Sequence, residues 1–345
     1  MVEPSGRPPG HVAGRLAVRD VDTSDEGQLR GWYDVWRAGQ THRRPDLIPS
    51  WEAAGRALST APPGFELQLF GVFDADTPVG VSLVNLPLDD NPTVVYADVM
   101  AHPDHRRRGV GTAVLEELER RARVAGRERV LTEVFQTPAG DGGGCAFAEA
   151  RGYVAANREG VKAIDLAASE PRWRELEEQV AAALGDYRVV SWRDRCPEEY
   201  VDSFGAAQSR VMSLIPQGDL DLEDRDWTVE RVRAAEERRV QVGLATFESV
   251  AVAPDGTVVG LTGVRVSTHD PRTAHIGVTM VLPEHRGHRL GLAIKLASHR
   301  ALRAAVPQCR LVTTSNAEVN AHMNAINEAM GYRLVETLVE YHKRL

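Results

Sequence analysis

The stretch "HPDHRRRGVGTAV" (102–114) crowds three arginines and two glycines between a strand-like segment and an apolar run. In that run Val114, Leu115, Leu118, Ala122 and Ala125 recur at helical spacing. The first turn of a helix has backbone N–H groups without intrahelical partners, and the macrodipole adds about half a positive charge there. A strand, a glycine-punctuated loop and a helix start therefore make a site for an anion such as a phosphate. Gly109 and Gly111 let the backbone approach such a group closely, and Arg106, Arg107 and Arg108 surround it with positive charge. A basic turn on a solvated surface would show the same residues.

The rest of the chain decides between the two. "VMAHPDHRRRGVGTA" (99–113) lies over "TMVLPEHRGHRLGLA" (279–293) at a constant offset. Met100 meets Met280, Pro103 meets Pro283, His105-Arg106 meets His285-Arg286, and Gly111 meets Gly291. Upstream, "TPVGV" (77–81) overlies "TVVGL" (257–261) in the same register. Downstream, "ARGYV" (150–154) overlies "AMGYR" (329–333) with a slip of one. A solvated turn has no reason to recur in one slot of a second pattern, so we read a duplicated domain.

Each copy mixes strands and amphipathic helices, which places the chain in the α/β class with a mixed (α+β) sheet. The first copy reads as strands at 15–19, 66–74, 78–86, 93–102 and 129–135, with helices at 25–38, after Gly109 and at 145–153. The second reads as helices at 197–213 and 228–240, strands at 244–253, 257–266 and 274–282, a helix at 290–305, a strand at 310–314, a helix at 318–329 and a last strand pair. The expected organisation is a flexible tail (1–14), an N-terminal domain (15–168), a helical linker (169–185) and a C-terminal domain (186–345). In the linker, Ser169 is the expected N-cap, Pro171 falls in the first turn and Gly185 is the stop. The glycine-rich stretch 140–144 reads as a flexible loop.

Arg106-x-x-Gly109-x-Gly111, set between a strand and a helix, resembles the acyl-CoA pyrophosphate loop of the GCN5-related N-acetyltransferase (GNAT) family. "HRGHRLGLAIKLA" (285–297), followed by "NAEVNAHMNAINEAMGYR" (316–333), resembles the C-terminal half of its bacterial tandem members. The resemblance implies two tandem GNAT-like domains, in each of which the fourth strand (93–102 or 274–282) parts from the fifth to admit the pantetheine arm. Backbone groups around Val99 and Ala101, or Met280 and Val281, would then pair with the pantetheine amides and polarise the thioester carbonyl. The amides of Arg107, Arg108, Gly109, Val110, Gly111 and Thr112, or of Gly287, His288, Arg289, Leu290, Gly291 and Leu292, would hold the pyrophosphate. Arg106 and Arg286 open the two loops. The second copy departs from the pattern by carrying Arg289 where the first has Gly109, which costs close approach and adds charge. Asn316 and Asn320 read as helix caps, and the resemblance adds a contact between Asn320 and the CoA arm.

The family often protonates the leaving thiolate with a tyrosine, whose slot falls here at Ala148 and at Asn327. Tyr341 is the candidate substitute. For the base, Asp98 and Glu133 lie near where the family places carboxylates, and strand alternation puts Asp98 on one face with Tyr96 and Met100. In the second copy His275 and Thr279 are the polar candidates. Trp32, Tyr33 and Trp36 read as core and as a wall of the acceptor cleft.

At 345 residues the chain can bury two cores, and 43% apolar with 26% charged residues is the profile of a globular protein. A net charge of −8 argues against nucleic acid and suits a cationic small molecule. No apolar run approaches the roughly 18–20 residues that cross a bilayer, so no membrane partner is expected, and the expected location is the cytoplasm. Cys145, Cys196 and Cys309 are too few and scattered for a disulfide framework or a zinc site, and no metal is expected. The leading reading is an acyltransferase that moves an acyl group from acetyl-CoA, or another acyl-CoA, to a small-molecule amine. It would act as a monomer or homodimer, with one copy catalytic (the second is favoured by its complete final helix motif) and the other structural or regulatory. Two other classes fit the same motifs: a CoA-binding sensor or scaffold without catalysis, and an acetyltransferase acting on protein amines.

Overall fold

The computed structural model describes residues 16–40, 43–137, 140 and 143–345. The expected tail (1–14) lies outside the described residues, as do Asp141 and Gly142 of the glycine-rich stretch. The first copy comprises β1 (Ala17–Asp20), α1 (Glu26–Gly39), α2 (Trp51–Leu58), β2 (Phe65–Asp74), β3 (Thr77–Pro87), β4 (Val94–Ala97), β5 (Met100–Ala101), α3 (Val110–Val124), β6 (Arg129–Gln136), α4 (Gly144–Ala150) and β7 (Val154–Asp165). After α5 (Leu166–Ala181) come β8 (Arg188–Arg193), α6 (Val201–Ser209), α7 (Val211–Leu214), α8 (Val229–Gln241), β9 (Leu244–Val252), β10 (Val258–Ser267), β11 (Thr273–Val281), α9 (Leu290–Ala305), β12 (Leu311–Ala317), α10 (Ala321–Met330) and β13 (Arg333–Arg344).

One 13-stranded sheet joins the two copies in the order β1-β2-β3-β4-β6-β13-β7-β12-β11-β10-β9-β8, with β5 paired to β3. The last strand of the chain is therefore inserted into the first copy. Glu340 on β13 lies opposite Glu133 on β6 and opposite Asn157 on β7. On its other side β7 pairs with β12, so the copies share strands rather than abut.

Side-chain alternation along the strands builds a core on each face. Val114, Leu118 and Ala122 of α3 pack on Phe70, Val72, Val84 and Val95. On the opposite face Leu29, Trp32 and Tyr33 of α1 pack on Leu69 and Val81, and Trp32 Nε1 donates to the Phe70 carbonyl at 3.1 Å. In the second copy α9 buries Leu292, Leu296 and Leu302 with Ile276 and Val312. Helix α5 starts earlier than its sequence suggests. Asp165 is the cap, accepting from the Ala168 amide at 3.0 Å, while Ser169 is buried within the helix and Pro171 lies inside it. Trp173, Leu176 and Val180 of α5 belong to the second core. Among the described residues no helix is long and apolar enough to cross a membrane.

Candidate active site

In both copies two parallel strands start together and then part. Strand β4 pairs with β6 only from Val94 to Tyr96, against Arg129 to Leu131. Strand β11 pairs with β12 only from Thr273 to Ile276, against Leu311 to Thr314. Past those points Asp98, Val99 and Ala101 in one copy, and Met280 and Val281 in the other, border a gap. In the first copy the fourth strand also breaks at Asp98, whose amide and carbonyl turn to β3 through the Leu83 carbonyl and Ser82 Oγ.

The two loops share a backbone shape with inverted chemistry. In the first, Arg107 (φ 62°) and Gly109 (φ 84°) are left-handed; in the second, Gly287 (φ 95°) and Arg289 (φ 54°) are. Only glycine takes this conformation without steric cost, so the fold keeps one strained arginine in each loop at alternate positions. Space is open around a Cβ built at Gly109 or Gly287, as a closely approaching ligand needs. Gly111 and Gly291, by contrast, form a groove floor, where an added Cβ would lie 3.4 Å from Phe147 and from Ile326. Arg107, Arg108, Arg286, His288 and Arg289 are exposed, whereas Val110, Leu290 and Leu292 bury their side chains and offer only backbone. Arg106 reaches inward to the Gly39 carbonyl at 2.9 Å, Arg286 Nε bonds the Val281 carbonyl at 3.2 Å, and Arg289 bonds Gln179 of α5 at 2.8 Å. Thr112 Oγ1 accepts from Arg151 at 2.6 Å.

The first copy gathers carboxyl groups. Asp98 accepts from Trp36 Nε1 at 3.1 Å, and burial raises its pKa. Glu133 faces a water-accessible cleft but is walled in by protein. That confinement, with Asp98, Glu340 and Glu159 nearby, pushes its carboxyl up to about 8. Glu340 rises to about 7 through burial, although it accepts from Asn157 at 2.6 Å. Tyr341 does not serve the copy that encodes it. The inserted strand lodges it in the first core, where its hydroxyl donates to Glu149 at 3.0 Å.

The second copy gathers cations and amides. His275 Nδ1 lies 3.1 Å from Thr313 Oγ1, and that hydroxyl donates its proton to the Ala274 carbonyl at 3.3 Å. With the hydroxyl proton so placed, Nδ1 carries the imidazole proton and Nε2 presents its lone pair; a hydroxyl turned to Nδ1 gives the opposite tautomer. His275 faces the chamber but is walled in by protein, and that confinement, with Arg265, Arg43 and Lys295 nearby, lowers its pKa to about 4. Thr279, the other polar candidate, is tied to Thr262 at 2.7 Å. Asn320 caps α10 through the Met323 amide, whereas Asn316 is a hub, accepting from Asn327 at 2.9 Å and Lys162 at 3.3 Å. Asn327, in the tyrosine slot, is fully buried with its Oδ1 unpartnered. Lys295 of α9 is equally buried, 5.1 Å from the Tyr332 ring, and its Nζ has no partner. Both unpartnered groups are sealed from solvent, Asn327 on α10 and Lys295 on α9.

One chamber of about 1300 Å³ lies on the α1, α2 and α8 face of the sheet, reaching both copies. Glu133 and Phe135 line its first-copy end, and Arg265, His275 and Thr313 its second-copy end. Arg43 stands between them, 3.6 Å from the Phe135 ring and paired with the buried Glu336 at 3.1 Å. Sequence reasoning named Asp98, Glu133 and His275 but missed Arg43, Glu340, Arg265 and Lys295. Lysine scarcity was a usable signal: the chain has only Lys162, Lys295 and Lys343; Lys162 bonds Asn316, Lys343 pairs with Glu119, and Lys295 is buried without a partner.

The profile of the Acetyltransferase (GNAT) family matches residues 29–153 and 219–343, one region in each copy. A tandem GNAT protein from the clavulanic acid biosynthesis pathway is similar in structure, with TM-score 0.79 and 28% identity over 96% of this chain and 98% of that one. A GCN5-related N-acetyltransferase from Sphaerobacter thermophilus shares the fold at TM-score 0.63 and 17% identity, over 96% of both chains. The N-myristoyltransferase of Saccharomyces cerevisiae does so at TM-score 0.60 and 12% identity, over 99% of this chain and 82% of that one. No curated protein matches the sequence significantly.

Proposed function

Because the chain belongs to the GNAT family of acetyltransferases and carries its domain twice, we propose that it transfers an acetyl group from acetyl-CoA to the amine of a small molecule. The second copy does the chemistry, and the first is structural or regulatory. The protein would act in the cytoplasm as a monomer or homodimer.

The observation that carries this reading is His275 itself, a confined imidazole that lines the chamber together with Arg265 and Arg43. Acyl transfer needs a neutral amine, and the confinement of His275 by protein, with the positive field of Arg265, Arg43 and Lys295 added, keeps its imidazole unprotonated. The same field disfavours the ammonium form of an amine placed beside it. His275 Nε2, neutral at working pH, accepts a hydrogen bond from the attacking nitrogen and orients it, and the proton the nitrogen sheds passes on to water. Loop amides at Gly287–Leu292 hold the diphosphate. When bound, acetyl-CoA supplies the activated thioester, and its thiol leaves readily because its reference pKa is only about 8.5. No tyrosine is required for that step.

One observation favours the first copy instead: Glu133, at about 8, is matched to a general base working near neutral pH. Its neighbours Asp98, Glu340 and Glu159 would, however, hold an amine in its unreactive ammonium form. Thiol release with acetyl-CoA and a panel of amines separates the readings. We expect turnover that falls about 100-fold in His275→Gln and less than about 3-fold in Glu133→Gln. The opposite pattern assigns the chemistry to the first copy, and CoA binding without turnover of any amine makes the protein a sensor.

A further inference from the structure

The second-copy end of the chamber holds an unsatisfied cation. Among the described residues Arg265 makes no hydrogen bond and no ion pair, and its Nε is shut off from solvent without a partner. The other arginines lining the chamber are engaged. Arg44 pairs with Asp46, Arg272 with Asp270, Arg310 with Asp165 and Arg43 with Glu336. Arg37 and Arg238 bond backbone carbonyls. The carboxylate nearest in the electrostatic sense, Glu248, lies beneath the chamber against Gly263, where a Cβ would come within 2.3 Å of it. Glu248 also acts on Arg239, which has Glu236 and Asp194 nearby as well. Arg265 is thus left with no hydrogen-bonded carboxylate of its own and with its Nε buried and unpartnered, which is costly for a guanidinium.

The place of that charge matters. Arg265 is directly opposite His275 in the β10–β11 ladder, and its Nη1 lies over Gly277, 3.7 Å from where a Cβ would be. Gly277 is the first residue past Ile276, where β11 parts from β12. The guanidinium thus sits at the mouth of the second gap, one side-chain width from the imidazole, since cross-strand pairs have Cβ atoms about 4.5–5.5 Å apart. Leu244, Leu311 and Val161 line the same chamber as Arg265.

We propose that Arg265 anchors a carboxylate of the acceptor, so that the substrates of the second copy are short amino acids whose amine and acid groups are separated by a few bonds. A planar guanidinium grips a carboxylate through two parallel hydrogen bonds, which fixes the amine beside His275 Nε2 and the gap. The inference rests on the acyltransfer reading above and names its substrate class.

The test compares matched ligands in the intact protein. Acyl transfer is measured for α-, β- and γ-amino acids against their carboxamides and their decarboxylated amines, in wild type, Arg265→Gln and Arg265→Lys. Calorimetry with the N-acetylated amino acids against their amides adds a binding readout that needs no turnover. We expect wild type to prefer the acids by about 10- to 100-fold in kcat/KM, and Arg265→Gln to erase that preference while sparing the amides. Arg265→Lys recovers part of it. Saturable binding of an N-acetyl amino acid without any turnover sinks the acyltransfer reading but keeps the carboxylate anchor. Equal handling of acids and amides by wild type, or no binding of any carboxylate, overturns the anchor itself; that comparison holds even if Arg265→Gln fails to fold.

Discussion

Replacing Lys295 by Met should make the protein more stable, with a pH signature that identifies the cause. Lys295 is wholly buried in α9 with no hydrogen bond, and burial together with the charge of Lys162 lowers its pKa from the ordinary 10.5 to about 7. At 1.36 kcal/mol per pH unit, this corresponds to about 5 kcal/mol set against the charged form. At pH 7 the unfolded chain binds this proton fully and the folded chain about half, so about 4 kcal/mol of folding stability is forgone. Loss of the Tyr332 ring contact gives back about 1–2 kcal/mol, and Met keeps the volume. The net gain at neutral pH is then about 2–3 kcal/mol. Between pH 7 and 10.5 the unfolded state carries the extra proton, so wild-type stability rises with pH through that window and the advantage of Lys295→Met shrinks. Denaturant unfolding at pH 6.5, 8 and 9.5 reads this as a difference in midpoint at constant m. A variant that is less stable at pH 6.5, or a gap unchanged by pH, would refute the reasoning.

Other outcomes follow from the same structure. Glu133 and Glu340 have raised folded-state pKa values of about 8 and 7, so wild-type stability should fall as pH rises from about 4.5 to 8, and Glu133→Gln should flatten that fall in denaturant titrations. Glu336→Ala removes the buried partner of Arg43 and of the Arg44 amide, and should cost about 3 kcal/mol of unfolding free energy. Arg289→Gly relieves a left-handed arginine and should raise thermal stability, as long as the lost Gln179 contact is worth less than the roughly 1 kcal/mol of backbone strain. A lower melting temperature would reverse that ranking.

What the sequence disclosed was what local physics encodes. The α9 bounds, 290–305, follow from apolar spacing alone, and the two anion loops follow from glycine and arginine at a helix start. The expected strand at 93–102 appears as two short pieces, because Asp98 turns its backbone to β3 and interrupts the ladder toward β6. The helix expected to start at Ser169 starts at Asp165, a better-placed cap that Pro171 disguised by looking like a first-turn residue. Strand partnership was hidden altogether. The alternation in β13 says which residues share a face but not that β6 and β7 lie on either side, so Tyr341, Glu340 and Glu336 could not be assigned to the first copy. Arg265 was silent for a similar reason: its meaning comes from His275 across the ladder and from the missing side chain at Gly277.

The functional assignment depends on backbone amides at two helix mouths holding a diphosphate. Calorimetric titration of the whole protein with coenzyme A, in wild type and in Gly109→Val and Gly287→Val, measures that directly, since a β-branched residue cannot hold the left-handed backbone these positions need. Two molecules bound per chain, with one lost in each variant, is the expected result. No uptake by the wild type, or undiminished uptake by both variants, would contradict the account.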